Sequence, residues 1–167
     1  MEIFFRTTMM INNKMDYNIY NELFNTMLEN DNTNVVKGRF NIENLSIQQK
    51  ADYIFDLIKS FSTDYKICRI LFWEKDEKIM CFIKKYAKKN YHILNCYQGK
   101  DVPGICILNI NEETSSLLKK ILISHLGFEL GEDFSINVRL QIYIKKEELR
   151  IIIDVYDDRG FNMYILD

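Results

Sequence analysis

The sequence predicts an α+β fold: an antiparallel sheet that ends in a three-stranded C-terminal meander and is covered on one face by helices. Two observations carry this reading. From Ser135 onward apolar and polar residues alternate with a period of two, the repeat of a half-buried strand. Ahead of that meander, four segments place apolar residues about every third or fourth position, the repeat of an amphipathic helix. An alternating sheet has one apolar face to bury, and the helices supply the cover.

The chain of 167 residues is read as one domain over 16–167, preceded by a disordered extension over 1–15 in which Met9, Met10 and Met15 are alternative starts. A chain of this size buries about 70% of the surface its unfolded form exposes, so it needs no metal or disulfide staple. A net charge of −2 gives no general case for binding nucleic acid or anionic membranes. "MEIFFRTTMM" lacks the pattern of a secretory signal, and no apolar run approaches the ~18 residues of a membrane span. Cys68, Cys81, Cys96 and Cys106 form no CxxC pair and are read as reduced core residues of a cytoplasmic protein.

"DYNIYNELFNTMLEN" is a helix that Asp16 can cap, with Tyr20, Leu23, Phe24, Met27 and Leu28 on one stripe. "DNTN" at 31–34 breaks it, and "VVKGRFNI" is a strand with Gly38 in its middle. Ser46 and Gln49 have the spacing of a capping box. The stripe behind them runs through Ile47, Ala51, Ile54, Phe55, Ile58 and Phe61. "YKICRILFWE" is a strand. "IMCFIKKYAKK" has Ile79, Phe82, Ile83 and Tyr86 at helical spacing and is read as helix. "YHILNCY" and "ICILNI" are strands on either side of the loop "QGKDVPG". In "NEETSSLLKKILISHLG" Asn111 is the N-cap, and Gly127 supplies a left-handed C-terminal position.

In the meander, Ile136, Val138, Leu140, Ile142 and Ile144 point one way, as do Leu149, Ile151, Ile153 and Val155. A four-residue loop at 145–148 pairs 144 with 149, 142 with 151 and 140 with 153, and sets Arg139 across from Asp154. A one-residue slip would expose every apolar side chain. A three-residue loop, Asp158–Arg159–Gly160, keeps Phe161, Met163 and Ile165 on the same face, with Gly160 in the left-handed conformation of a bulged turn. The opposite face carries Arg139, Gln141, Tyr143, Arg150, Ile152, Asp154, Tyr156, Asn162 and Tyr164. It is either a plain solvated face or, because tyrosine and arginine anchor interfaces, a protein-binding surface.

No phosphate-binding glycine loop, HExxH or EF-hand spacing occurs, so no cofactor or metal site is expected. His92 and Cys96 would suit a metal only on a helix. His125 gains from a helix dipole without catalysis. Asp157 and Asp158 leave a strand end on opposite sides, a poor arrangement for an acid–base pair. Lys84, Lys85, Lys88 and Lys89 form basic rows on one helix, with Tyr86 and Tyr91 beside them.

The stretch "LRIIIDVYDDRGFNMYIL" resembles the signature of a bacterial domain family of unknown function that ends in a strand, a Tyr-Asp-Asp-Arg-Gly turn and a second strand. "VVKGRFNIEN" is similar to that family's early Arg-Phe strand, and the helix and strand of "KADYIFDLIKSFSTDYKICRILFWE" follow in the expected order. Tyr156 to Gly160 match closely. Asn162 stands where the family has an acidic residue, and 75–130 does not align. The resemblance implies the fold and adds no catalytic residue.

The expectation is a small cytoplasmic interaction protein of immunity or antitoxin type. It would bind another protein, such as a toxin, through Arg139, Tyr143, Arg150, Asp154, Tyr156, Arg159 and Tyr164, with no catalytic residue, metal or membrane involved. One rival reading is an enzyme whose site is assembled from dispersed residues around His92, Cys96 or His125. The other is nucleic-acid binding through the Lys84–Lys89 helix, which the near-neutral net charge disfavours. The oligomeric state is left open.

Overall fold

The computed structural model describes residues 17–29, 35–61, 65–74, 77–87, 90–99, 101–133 and 135–166. The expected extension at 1–15, the cap Asp16, the break at 31–34, and Lys88 and Lys89 lie outside the described residues. In chain order the elements are α1 (Tyr17–Glu29), β1 (Val35–Asn41), α2 (Ile47–Ser60), β2 (Tyr65–Phe72), α3 (Glu77–Ala87) and β3 (Tyr91–Asn95). They continue with β4 (Gly104–Ile110), α4 (Ser115–Leu126), β5 (Val138–Lys146), β6 (Leu149–Val155) and β7 (Gly160–Leu166). The strands form one seven-stranded antiparallel sheet of order β1-β7-β6-β5-β2-β4-β3. The fold is α+β, with the C-terminal meander inside the sheet rather than at its edge, because β1 pairs with β7.

Helices α2, α3 and α4 cover one face. Ala51, Ile54 and Ile58 of α2, Ile79 and Ile83 of α3, and Leu117, Leu118 and Ile121 of α4 are buried against Ile70, Leu140, Ile142, Ile153, Val155 and Phe161. Each fully buried side chain of this kind contributes roughly 1.5–3 kcal/mol, so the stripes read from the sequence hold the layers together. The capping box of α2 is present: the Gln49 backbone N–H donates to Ser46 Oγ at 3.3 Å, and the Ser46 N–H donates to Gln49 Oε1 at 2.9 Å.

Helix α4 starts differently from expectation. Thr114 is its N-cap, and Asn111 caps the preceding turn, accepting the Thr114 N–H at 3.0 Å while its own N–H donates to Thr114 Oγ1 at 2.9 Å. Gly127 is right-handed (φ −81°) because the chain continues in turns as far as Gly131, where φ is +69°. Two of the four cysteines also depart from the core reading, since Cys81 and Cys96 are exposed while Cys68 and Cys106 are buried. Burial pushes the Cys106 thiol up to about 12 and Cys68 higher still, so both remain protonated and unreactive.

The meander has the expected parity with a register displaced by two. Ile142 lies opposite Ile153, and Ile144 opposite Ile151, so the β5–β6 turn is the pair Glu147–Glu148, with Glu147 at φ 54°. Gln141, not Arg139, faces Asp154 directly. Likewise Val155 pairs with Phe161 and Ile153 with Met163, which lengthens the turn expected at 158–160. A two-residue shift keeps every side chain on its own face, so alternation alone does not detect it.

Gly160 does not adopt a left-handed φ. A Cβ there would lie 2.4 Å from the Phe40 carbonyl oxygen, so glycine is required by the close approach of β1 to the end of the hairpin. The Ile42 N–H donates to the Arg159 carbonyl at 2.9 Å, and Phe40 stacks on Phe161 at 4.9 Å, sealing the same corner. Gly160→Ala is expected to cost about 2–3 kcal/mol in urea unfolding. Gly38→Ala, which meets only the movable Phe40 ring at 3.2 Å, should stay within about 1 kcal/mol of wild type. Equal losses at the two sites would contradict the close-approach explanation.

Candidate functional site

The apolar stripe of α1 needs a surface, and it takes the face of the sheet opposite the other three helices. Phe24 and Met27 are buried on Ile67 of β2, Ile107 of β4, Tyr143 of β5 and Ile152 of β6. These sheet residues alternate with those under α2–α4, so the middle of the sheet is buried on both sides.

Beside that apolar row runs a polar one. The pairings place Arg69, Gln141, Asp154, Asn162 and Arg39 side by side across β2, β5, β6, β7 and β1. Arg69 is only 5% exposed. Its Nε donates to Gln141 Oε1 at 2.7 Å, and Nη1 donates to Asn21 Oδ1 at 2.8 Å and to Asn25 Oδ1, both asparagines belonging to α1. The guanidinium also lies 4.8 Å from the centroid of the Phe24 ring. Gln141 Nε2 donates to Asp154 Oδ1 at 3.2 Å. Arg139 grips the same carboxylate with two bonds, Nε to Oδ1 at 2.8 Å and Nη2 to Oδ2 at 2.6 Å. The carboxylate bonds hold the Arg139 guanidinium above its ordinary value. Buried charges persist only when their hydrogen-bonding capacity is met, and this chain of contacts meets it from α1 to β6.

A groove of about 330 Å³ lies where α1 ends against this network. Asn25 and Leu28 line it on one side, and Arg69, Arg139, Gln141 and Tyr164 on the other. Beyond the groove, Lys37 and Arg39 of β1 are exposed on the same face, with Lys37 Nζ 5.4 Å from the centroid of the Tyr164 ring.

The residues expected to bind a partner separate into three environments. Tyr143 is 2% exposed beneath α1, and Asp154 is fully buried, which corrects the expectation that both lie on an open face. Arg139, Arg150 and Tyr164 are partly buried on that face, and Tyr156, just past the end of β6, is also partly buried. Arg159 belongs to the hairpin: Asp157 accepts its backbone N–H at 2.9 Å and its guanidinium through Nε and Nη2. The neighbouring Asp158 is held by Lys50 of α2, which donates to its carbonyl and lies 3.3 Å from its carboxylate. The Tyr-Asp-Asp-Arg-Gly segment is therefore a clamp joining β7 to β1 and α2.

Arg69, Lys37 and Arg39 were missed from the sequence. The signal for Arg69 is its place between Ile67 and Leu71 at the same parity, a charge inside an apolar strand. Lys37 and Arg39 gain meaning only once β1 is known to pair with β7.

His92, Cys96 and His125 do not converge. His92 is exposed on the α1 side of the sheet, opposite Ile107, and Cys96 is exposed beyond the end of β3. His125 is buried on α4, on the other side. Neither of its ring nitrogens makes a hydrogen bond of ordinary geometry. Burial pushes its pKa down to about 4 against the opposing pull of Asp157, which outweighs the helix-dipole effect expected from its position. On the lysine helix, Lys84 and Lys85 are exposed, and Tyr86 lies under Lys120 at 4.1 Å. Among the described residues no three His, Cys, Asp or Glu side chains group to hold a metal, and no helix is long and apolar enough to cross a membrane.

Two measurements check this site. Arg139→Ala leaves the buried Asp154 carboxylate with only its Gln141 bond and should cost about 1–3 kcal/mol in urea unfolding, whereas Arg39→Ala should stay within about 0.5 kcal/mol of wild type. His125 is neutral in the folded protein, so the unfolded chain gains a proton first as the pH falls below 6.5. Relative to His125→Leu, wild type should lose about 3 kcal/mol between pH 6.5 and pH 4 and show no such slope above pH 7. Parallel stability curves for the two proteins would contradict the buried neutral imidazole.

Comparison with protein-family models, with curated proteins and with solved structures finds no significant match to this chain.

Proposed function

We propose that this chain is a small protein-interaction domain, concretely of immunity or antitoxin type, acting in the cytoplasm. Its partner docks on the α1-side face of β6, β7 and β1. The observation that supports the reading is the uneven cover of the sheet. α1 occupies that face over Ile67, Ile107, Tyr143 and Ile152, while Lys37 and Arg39 at the β1 edge are exposed. The remaining face combines arginine with a tyrosine beside a groove, the composition of interface anchors. Membership of the bacterial family with the Tyr-Asp-Asp-Arg-Gly hairpin is part of the same proposal.

Within the expected binding set the roles now divide. Tyr143, Asp154 and Arg139 hold α1 and the sheet together, so changing them disturbs folding as well as binding. Lys37 and Arg39, together with Tyr164, are the probes of docking. The double variant Lys37→Glu/Arg39→Glu, purified from the native host, should lose a protein that accompanies wild type in stoichiometric amount. Its melting temperature should stay within about 2 °C of wild type, as expected for exposed substitutions. Retention of that protein by a folded double variant would overturn the reading.

A further inference from the structure

We infer that α1 is a releasable cover: it leaves the sheet as one unit while the strands and α2–α4 stay folded, uncovering Arg69, Gln141, Tyr143 and Ile152. The two faces of the sheet are held differently. On one, α4 packs against both α2 and α3, and it alone buries Leu117, Leu118, Ile121, Leu122 and Leu126. On the other, α1 is the one described helix. The side chains it buries are Phe24 and Met27, with Tyr20, Leu23 and Leu28 partly buried beside them. No strand pairing runs through α1, so its departure breaks no ladder of the sheet.

The surface beneath α1 contains a charge. Arg69 is buried there and donates to Asn21 and Asn25 of the helix. Water replaces those bonds when the helix leaves, so hydration of the guanidinium offsets part of the cost of exposing the apolar row. α1 also has little support of its own. Its thirteen residues include Asn18, Asn21, Asn25 and Thr26, which favour the helical state weakly, and Thr26 Oγ1 donates back to the Glu22 carbonyl at 2.9 Å. No acidic residue lies in its first turn and no basic residue in its last, so charge does not complement its dipole. An isolated helix of this length is marginal in water. Contact with the sheet and helical structure are therefore lost together, which makes the opening one cooperative step.

The chain carries its own reporters. Cys68 and Cys106 are buried on the α2–α4 side of β2 and β4, and their neighbours Ile67 and Ile107 are buried under α1. With the exposed Cys81 and Cys96 replaced by serine, the variant Ile107→Cys is treated with a thiol reagent under native conditions. The thiol at position 107 should react at least about tenfold faster than Cys68 and Cys106. Ile121→Val, which loosens α4, should speed Cys68 and Cys106 about threefold and leave position 107 unchanged. Native-state hydrogen exchange of the unaltered chain guards against loosening caused by Ile107→Cys itself. Amides of Leu23 to Met27 should exchange together at least about tenfold faster than those of Leu118 to Leu122, with a smaller dependence on urea. Exchange of both helices at one rate, or labelling of position 107 no faster than Cys68 and Cys106, would overturn the inference. So would α1 amides that exchange independently of one another and without dependence on urea.

Discussion

Arg69 sits near the middle of the sheet, beneath a helix, where its guanidinium has almost no access to water. Much of the arrangement on that face follows from satisfying this one group. Asn21 and Asn25 reach down from α1, Gln141 reaches across from β5, and the guanidinium carbon lies over the Phe24 ring. Gln141 passes the network on to Asp154, and Asp154 in turn orders Arg139 at the rim of the groove. A helix bound only by Phe24 and Met27 could slide over an apolar row. Hydrogen bonds with defined partners give it one position, and that position decides which strands it covers.

On the other face the constraint is packing against α2, α3 and α4, and it reaches the C-terminal hairpin through charge. Lys50, almost fully buried on α2, is held by the carbonyl and carboxylate of Asp158, while Asp157 closes on Arg159. These contacts account for the two aspartates and the arginine as parts of a turn. Gly160 completes the corner because Phe40 of β1 leaves no room for a side chain. The Tyr-Asp-Asp-Arg-Gly segment thereby serves to bring the N-terminal edge strand onto the C-terminal meander.

The two periodicities made most of the elements legible from the residues. The capping box, the α2 and α3 stripes and the parity of the last three strands all correspond to what those residues do. Register was legible only modulo two residues, since Ile142 meets an apolar partner in the same face under either pairing. Nothing in Lys145–Glu148 announces a two-residue turn, because Glu147 takes the positive φ without glycine or asparagine. The second cover of the sheet leaves a trace in the sequence: Tyr143 and Ile152 are apolar positions on the polar face, and the α1 stripe needs such a surface. Arg39 and Lys37 were beyond sequence reasoning because their meaning depends on β1 crossing the whole chain to reach β7. The His125 environment is likewise not legible locally, since burial and distant residues rather than its helix set its protonation.

The central claim is that the buried network seats α1 over one part of the sheet, while Lys37 and Arg39 of β1 stand exposed among the described residues. Side-chain relaxation in the presence of a soluble paramagnetic agent reads that difference directly. The Ile152 methyl and Tyr143 ring signals should be shielded, and those of Lys37 and Arg39 strongly broadened. Equal broadening of Ile152 and Arg39 would show that α1 does not cover the sheet. Equal shielding of the two would show that the proposed docking face is already occupied by the chain itself.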